Sequence, residues 1–190
     1  MPSPISSAAH YLYEKEKYKE LILDNVSFDN NIDFYSGIND FKKKTHVELI
    51  EYFVTNYNEV NGHNIKYPNI DAALFISSMT PRETAIFANK IRAILREQLS
   101  AFWRDYVNDL VYFIENDASE DFIRHLYNYC CSPDDNVIYY VGKVYNEYIV
   151  EYGGISRTSL LDALRHIPSD ELKELEYCVT DAIYERHKKL

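Results

Sequence analysis

The residues of this 190-residue chain whose types could do chemistry are six histidines, three cysteines and thirty carboxylates. The sequence contains no His-Glu-x-x-His zinc pair, no Gly-rich phosphate loop and no Gly-x-Ser-x-Gly nucleophile turn. His125 with Cys130 or Cys131 matches no standard zinc spacing, so we interpret it as a surface histidine beside buried thiols. Asp134 and Asp135 lie where helix-capping residues are expected, and we interpret them as caps. The sequence therefore predicts that the protein is not an enzyme and has no catalytic residue, metal or cofactor.

Two short stretches carry more information than these residues. Residues 103–108 (Trp-Arg-Asp-Tyr-Val-Asn) lie within residues 101–114, a segment with apolar residues on most sides of a helix. Such a helix is typically buried among other helices. Residues 148–155 (Tyr-Ile-Val-Glu-Tyr-Gly-Gly-Ile) end the next apolar segment, residues 137–151. We expect these two apolar helices to form a central hairpin.

The segments before residue 101 predict amphipathic helices. Ser6 or Ser7 caps a first helix to about residue 23, and residues 24–40, rich in Asn, Asp and Ser, form a loop. A second helix covers about residues 41–58, because its apolar residues recur at helical spacing. A short third helix, capped at Asn69, follows.

The clearest local signal in the chain is a helix start at residues 80–83, Thr-Pro-Arg-Glu. Thr at the N-cap, Pro at the first helical position and Glu at the third form a capping box. Helical periodicity continues from there to about residue 114. Because that is long for one globular helix, we expect a break near Ser100 and two helices.

The sequence from residue 119 onward also predicts helices. Ser119 caps a helix to residue 131, and residues 137–151 are expected to form another. Gly142 lies in the middle of that helix, where Gly costs about 1 kcal/mol relative to Ala, so we expect another helix to pack closely there. A short helix over residues 158–166 and a last amphipathic helix from Ser169 complete the chain.

Composition limits the class of protein and its partners. Five Gly and six Pro are few, which favours long helices and an all-α fold. A net charge of −10 repels phosphate backbones, so we expect no nucleic-acid partner. Three cysteines are an odd number, which is typical of a reducing compartment. The sequence as given has no signal peptide and no apolar run of about 18 residues that could span a membrane.

The two stretches resemble motifs of a known family. Residues 104–108, Arg-Asp-Tyr-Val-Asn, resemble the first homology motif of the B-cell lymphoma 2 (Bcl) family of apoptosis regulators, Arg-Asp-Gly-Val-Asn-Trp-Gly-Arg. Tyr148-Ile149 followed by Gly153-Gly154-Ile155 resembles the second motif, Trp-Ile-x-x-x-Gly-Gly-Trp. The order of the helices is also similar. The resemblance implies one all-α domain, residues 1–190, of about eight helices around a central hydrophobic hairpin.

The resemblance also implies a binding site. Family members hold amphipathic BH3-type helices of pro-apoptotic proteins in an apolar surface groove between the second to fifth helices. The residues expected to line the groove here are Val47, Ile50, Phe53, Val54, Leu74, Phe75, Ile91, Leu95, Arg104, Val107, Asn108 and Val111. The second-motif residues Tyr148, Gly153, Gly154 and Ile155 are expected to be structural, with Gly153 in a left-handed conformation.

This chain departs from the family pattern at several motif positions. Tyr106 replaces a Gly, and Tyr148 and Ile155 replace two Trp. Val111 stands where the family has the Arg that pairs with the Asp of a bound helix. We therefore expect binding to depend more on apolar contacts than is usual in the family.

The resulting interpretation is a pro-survival regulator of apoptosis. It would act in the cytoplasm, at the mitochondrial outer membrane surface of a host cell, and would contact the membrane only if a C-terminal anchor had been removed. A homodimer is left open, as is a viral or invertebrate origin. The alternatives are a viral modulator of innate immune signalling with the same fold, and an unrelated acidic helical inhibitor or adaptor.

Overall fold

The computed structural model describes residues 15–24, 26, 41, 43–60, 71–130, 136–153, 155–165 and 167–190. Residues 15–24 are helical and are called α1. The helices that follow are α2 (His46–Val60), α3 (Ala72–Ser77), α4 (Pro81–Tyr112), α5 (Glu120–Cys130), α6 (Val137–Tyr145), α7 (Arg157–Leu164) and α8 (Ser169–Lys188). Two short strands, β1 (Glu151–Tyr152) and β2 (Ile155–Ser156), pair antiparallel. The predicted all-α class is confirmed for these residues.

Several predictions lie outside the described residues. They are the helix start at Ser6 or Ser7, almost all of the loop over residues 24–40, the cap at Asn69 and the conformation of Gly154. The cap seen at the start of α3 is Asp71, whose Oδ1 accepts from Leu74 N at 3.0 Å.

Backbone contacts divide the chain into two compact units, Met1–Gln98 and Leu99–Leu190. In the first unit, α2 packs against α3, and the ring of Phe75 on α3 contacts Tyr18 on α1 at 5.7 Å and Phe87 on α4 at 6.0 Å. These contacts form an apolar core. Its most deeply buried members include Tyr18, Leu49, Ile50, Val54, Phe75, Ala88, Ile91 and Leu95.

Two capping boxes start helices of this unit. Glu83 N donates to Thr80 Oγ1 at 3.2 Å, and Thr80 N donates to Glu83 Oε1 at 3.3 Å. Thr45 and Glu48 make the same reciprocal pair at the start of α2, at 3.2 and 3.5 Å. The Thr80 N–H is the main group that lowers the pKa of the Glu83 carboxyl. The predicted start of α4 at Thr80 and Pro81 is therefore confirmed.

In the second unit, α8 packs against α5, α6 and the π-helical turn Phe113–Asp117, and α7 packs against α6 and the two strands. Residues from each of these helices and from the end of α4 share one core. Its members include Trp103, Tyr106, Leu110, Ile114, Ile123, Leu126, Ile138, Val141, Leu160, Val179 and Ile183.

Helix α4 differs from the prediction in two ways. It is continuous over 32 residues, so the expected break near Ser100 is wrong. It is also not buried on most sides, since Arg104, Asp105, Asn108 and Tyr112 are exposed. The buried positions of its C-terminal half lie on the opposite stripe, and they are Trp103, Tyr106, Val107 and Leu110. Polar residues recur here at helical spacing, which makes the helix amphipathic.

The prediction of one helix over residues 137–151 is wrong. Helix α6 ends at Tyr145, a 3₁₀ turn covers Asn146–Tyr148, and Ile149 is extended, with φ −122° and ψ 152°. The cause is local, because Ile149, Val150 and Tyr152 are β-branched or aromatic and favour extended backbone. Gly153 therefore turns a hairpin instead of closing a helix.

Candidate functional site

The apolar residues predicted to line the groove mostly form core in the first unit. Ile50, Phe53, Val54, Phe75, Ile91 and Leu95 are buried. Among the predicted groove residues of this unit, only Val47 and Leu74 present large apolar surfaces to solvent, at 45% and 54% exposure. Val47 lies on α2 and Leu74 on α3, and these two helices pack against each other. Each of the two packed helices therefore exposes one large apolar side chain and buries others in the core.

The predicted site residues of the second unit are on α4. Arg104 and Asn108 are exposed one helical turn apart, Val111 is half-buried and Val107 is buried. Arg104 Nε donates to Ser100 O at 3.3 Å, so its guanidinium lies along its own helix. The arrangement provides one exposed cation and one exposed amide, and no apolar surface comparable to Val47 and Leu74.

The second-motif residues occupy the turn and strands after α6. Tyr148 is exposed, Ile155 is half-buried, and Gly153 has φ +57°, so the predicted left-handed conformation is confirmed. Among the described residues, the one atom that a Cβ on Gly153 would meet is Phe102 Cε2, at 3.6 Å. The requirement for glycine at this position is therefore conformational.

Sequence reasoning missed a buried polar contact between α4 and the end of α6. Tyr106 Oη donates to Asn146 Oδ1 at 2.9 Å, and both residues are almost fully buried. Burial of the phenol raises the pKa of Tyr106. Asn146 Nδ2 has no hydrogen-bond partner among the described residues. Forty positions separate the two residues, and no sequence pattern connects them.

Gly142 lies beside this contact. A Cβ at Gly142 would be 2.9 Å from Leu164 Cδ1 and 3.0 Å from Tyr106 Oη. The close packing predicted from a glycine in mid-helix is thus confirmed, with Tyr106 on α4 and Leu164 on α7 as the neighbours. Gly142 leaves the room that the large Tyr106 occupies.

A second tyrosine joins β1 to α4. Tyr152 Oη donates to Asp109 Oδ2, and its ring contacts those of Phe102 and Tyr106 edge-on, at 5.6 and 5.2 Å. Burial raises the pKa of Tyr152, and the hydrogen bond to Asp109 raises it further. The pair fixes the position of the hairpin within the second unit, which is a structural role.

Two further kinds of site, for a metal ion and for a membrane, are absent from the part of the chain that the structure describes. No group of three or more His, Cys, Asp or Glu residues there could hold a metal ion. Among the same residues, no helix is both long and apolar enough to cross a membrane. His125, the histidine nearest in sequence to Cys130 and Cys131, is exposed, and its ring centroid lies 5.8 Å from that of Tyr140.

Comparisons of the chain with protein-family models, with curated proteins and with solved structures found no match.

Proposed function

We propose that the protein is a pro-survival-type regulator of apoptosis that binds amphipathic BH3-type helices. It would act in the cytoplasm, at the surface of the mitochondrial outer membrane. The observation that supports the proposal is that α2 and α3, which pack together, expose Val47 and Leu74 and bury Ile50 and Phe75. An amphipathic helix binds where such exposed apolar side chains continue into an apolar layer.

The energies are compatible with a micromolar complex. A partner helix that buries four apolar residues gains about 1.5–3 kcal/mol from each, or roughly 10 kcal/mol in total. Ordering the helix offsets about 2 kcal/mol or more of that gain. A net free energy of about 8 kcal/mol corresponds to a dissociation constant near 1 μM.

Electrostatic contacts are expected to add little to this binding. The half-buried Val111 stands where the resemblance implies an Arg, and Arg104 already donates to the carbonyl of Ser100. Because apolar contacts are not screened by ions, we expect the affinity for such a helix to change less than about threefold between low and physiological salt.

The proposal is tested by titrating the chain with a panel of BH3-type peptides in a calorimeter. Val47→Glu and Leu74→Glu change exposed positions, so they should leave the fold intact and weaken binding about tenfold or more. Tyr177→Glu, on the exposed side of α8, is the matched control and should bind as the parent does. If no peptide binds the parent more tightly than about 100 μM, the proposal fails.

A further inference from the structure

We propose that the segment around Tyr148 and Val150 is a docking surface for a basic amphipathic helix of a partner protein. The surface consists of Tyr148, Val150, Glu115, Glu147 and Glu151, and is called the acidic aromatic patch. It lies entirely within the second unit. The inference does not depend on the proposed function.

The apolar part of the patch is held out of the core by a fixed backbone. Tyr148 is 74% exposed and Val150 is 84% exposed. Ile149 N donates to Asn146 O at 3.4 Å, and Arg157 N donates to Val150 O at 3.3 Å, so the backbone is bonded on both sides of the exposed residues. The two side chains are therefore presented to solvent by an ordered segment.

A buried ring supports Tyr148 from below. Its ring lies 5.8 Å from that of Phe113, which in turn contacts Tyr145 at 5.7 Å and Phe122 at 6.4 Å. Phe113 itself is buried. A bound apolar side chain would thus extend an existing aromatic core instead of covering an isolated residue.

The charge of the surrounding segments selects the partner. Residues 109–117 and 145–153, which meet through Phe113 and Tyr148, contain no Lys or Arg. Their carboxylates are Asp109, Glu115, Asp117, Glu147 and Glu151. Three basic residues lie close to these segments. Lys143 is exposed and precedes residue 145 by two positions. Arg186 donates to the carbonyls of Ile114 and Ala118, and Arg157 follows β2. The local excess is negative.

These features fit a helix with Lys or Arg around apolar residues. Its apolar side chains would cover Tyr148 and Val150, and its cations would face Glu115, Glu147 and Glu151, all exposed. A cation above the Tyr148 ring would gain a cation–π contact. A second copy of this chain does not fit, because each copy carries a net charge of −10 and like charges repel.

The test uses the full chain and a Lys/Leu amphipathic peptide of about five helical turns. A Lys/Ala peptide of equal charge measures the purely electrostatic part, and a Glu/Leu peptide reverses the charge. We expect the Lys/Leu peptide to bind at low salt at least about tenfold more tightly than the Lys/Ala peptide. The Glu/Leu peptide should not bind. Amide NMR shifts should map to residues 147–151 and 113–117.

Two variants and one matched control separate the patch from diffuse charge. Tyr148→Ser/Val150→Ser should remove most of the advantage of Lys/Leu over Lys/Ala, and Glu147→Lys/Glu151→Lys should weaken both peptides about tenfold. Glu174→Lys/Asp181→Lys makes the same charge change on the exposed side of α8 and should weaken them far less. Melting temperatures check that each variant is folded.

Three results would overturn the inference. The first is an equal loss of peptide affinity in Glu147→Lys/Glu151→Lys and in the α8 control. The second is that the amide shifts of the parent protein map away from the patch. The third is equal affinity of the parent for the Lys/Leu and Lys/Ala peptides. The shift map uses the unaltered chain, so it decides the question even if a variant does not fold. Failure of BH3-type peptides to bind would leave these three results unchanged.

Discussion

At the scale of single residues, the close approach at Gly142 predicts a stability change of definite sign. In Gly142→Ala, the new Cβ would be 2.9 Å from buried Leu164 and 3.0 Å from buried Tyr106. Overpacking of this kind costs about 1–3 kcal/mol, and most of this range exceeds the roughly 1 kcal/mol that Ala gains over Gly in a helix. Denaturant unfolding should therefore show a net loss of stability.

A double-mutant cycle provides the control for that prediction. Leu164→Ala removes the nearer neighbour, so adding Gly142→Ala to it should cost less than adding it to the parent. Equal costs in both backgrounds would show that Leu164 is not the source of the strain.

Gly153 predicts a backbone effect with little contribution from packing. Its φ of +57° is strained for any β-branched residue, and its nearest side-chain neighbour is at ordinary contact distance. Gly153→Val should lower the free energy of unfolding by more than about 1 kcal/mol. Gly153→Asn should lose less, because Asn tolerates left-handed backbone. Similar melting temperatures for the Val variant and the parent would contradict this account.

At the scale of secondary-structure elements, Arg186 on α8 binds the π-helical turn Phe113–Asp117 that follows α4. Its guanidinium donates to Ile114 O at 2.8 Å, within the π-helical turn, and to Ala118 O at 3.2 Å, directly after the turn. Lys cannot reproduce this fork, so Arg186→Lys should lower the free energy of unfolding by about 1–3 kcal/mol.

The control for Arg186 is Arg124→Lys. Arg124 is exposed and pairs only with Glu120 and Asp121 on its own helix among the described residues, at 3.6 and 3.3 Å. Such pairs contribute little, so the change should stay within about 0.5 kcal/mol. If the two substitutions cost the same in urea unfolding, the hydrogen bonds of Arg186 to the π-helical turn contribute no more to stability than an exposed ion pair does.

Helix starts were predictable from the sequence because their signals are local. Thr80 and Glu83 form the expected capping box, and Ser119 Oγ accepts from Phe122 N at 3.2 Å at the start of α5. The continuity of α4 through Ser100 was not predictable from helix-length statistics, since no residue there breaks a helix. The change to extended backbone after Tyr148 depends on side chains that suit both helix and strand.

The candidate site was less predictable, because apolar spacing identifies a face but not what covers it. Ile50 and Phe75 fall on the expected stripe and are fully buried, whereas Val47 and Leu74 on the same helices are exposed. The bonds of Tyr106 to Asn146 and of Tyr152 to Asp109 join positions 40 and 43 residues apart. Contacts of that kind require the tertiary structure.

At the scale of the whole molecule, buried tyrosines predict a loss of stability in alkali. Burial raises the pKa of the Tyr106 phenol above its ordinary value of 10.0, and burial also raises the pKa values of Tyr145 and Tyr152. Above about pH 10 the unfolded phenols ionise while the folded Tyr106 stays neutral. The stability held by the neutral phenol is therefore complete below pH 10 and is lost as the pH rises toward the folded-state pKa.

This alkaline loss can be assigned to Tyr106 by substitution. Each group that ionises only in the unfolded state changes the free energy of unfolding by up to about 1.4 kcal/mol per pH unit. Above pH 10, Tyr106→Phe should reduce the fall of the unfolding free energy with pH by up to that amount. The variant should be less stable than the parent at neutral pH, because Asn146 loses its hydrogen-bond donor. The free energy of unfolding in urea should be measured for both proteins from about pH 9 to pH 11, one unit on either side of the ordinary pKa of tyrosine. Equal pH dependence in the parent and the variant would exclude the assignment.

The fit of Tyr106 against Gly142 also has an evolutionary consequence. A change at either position alone costs stability, because a larger residue at 142 collides with the phenol and a smaller residue at 106 leaves a hole beside the glycine. In descendants of a common ancestor, the two positions should therefore vary together. A related protein with a small residue at position 106 should therefore have a larger residue than glycine at position 142.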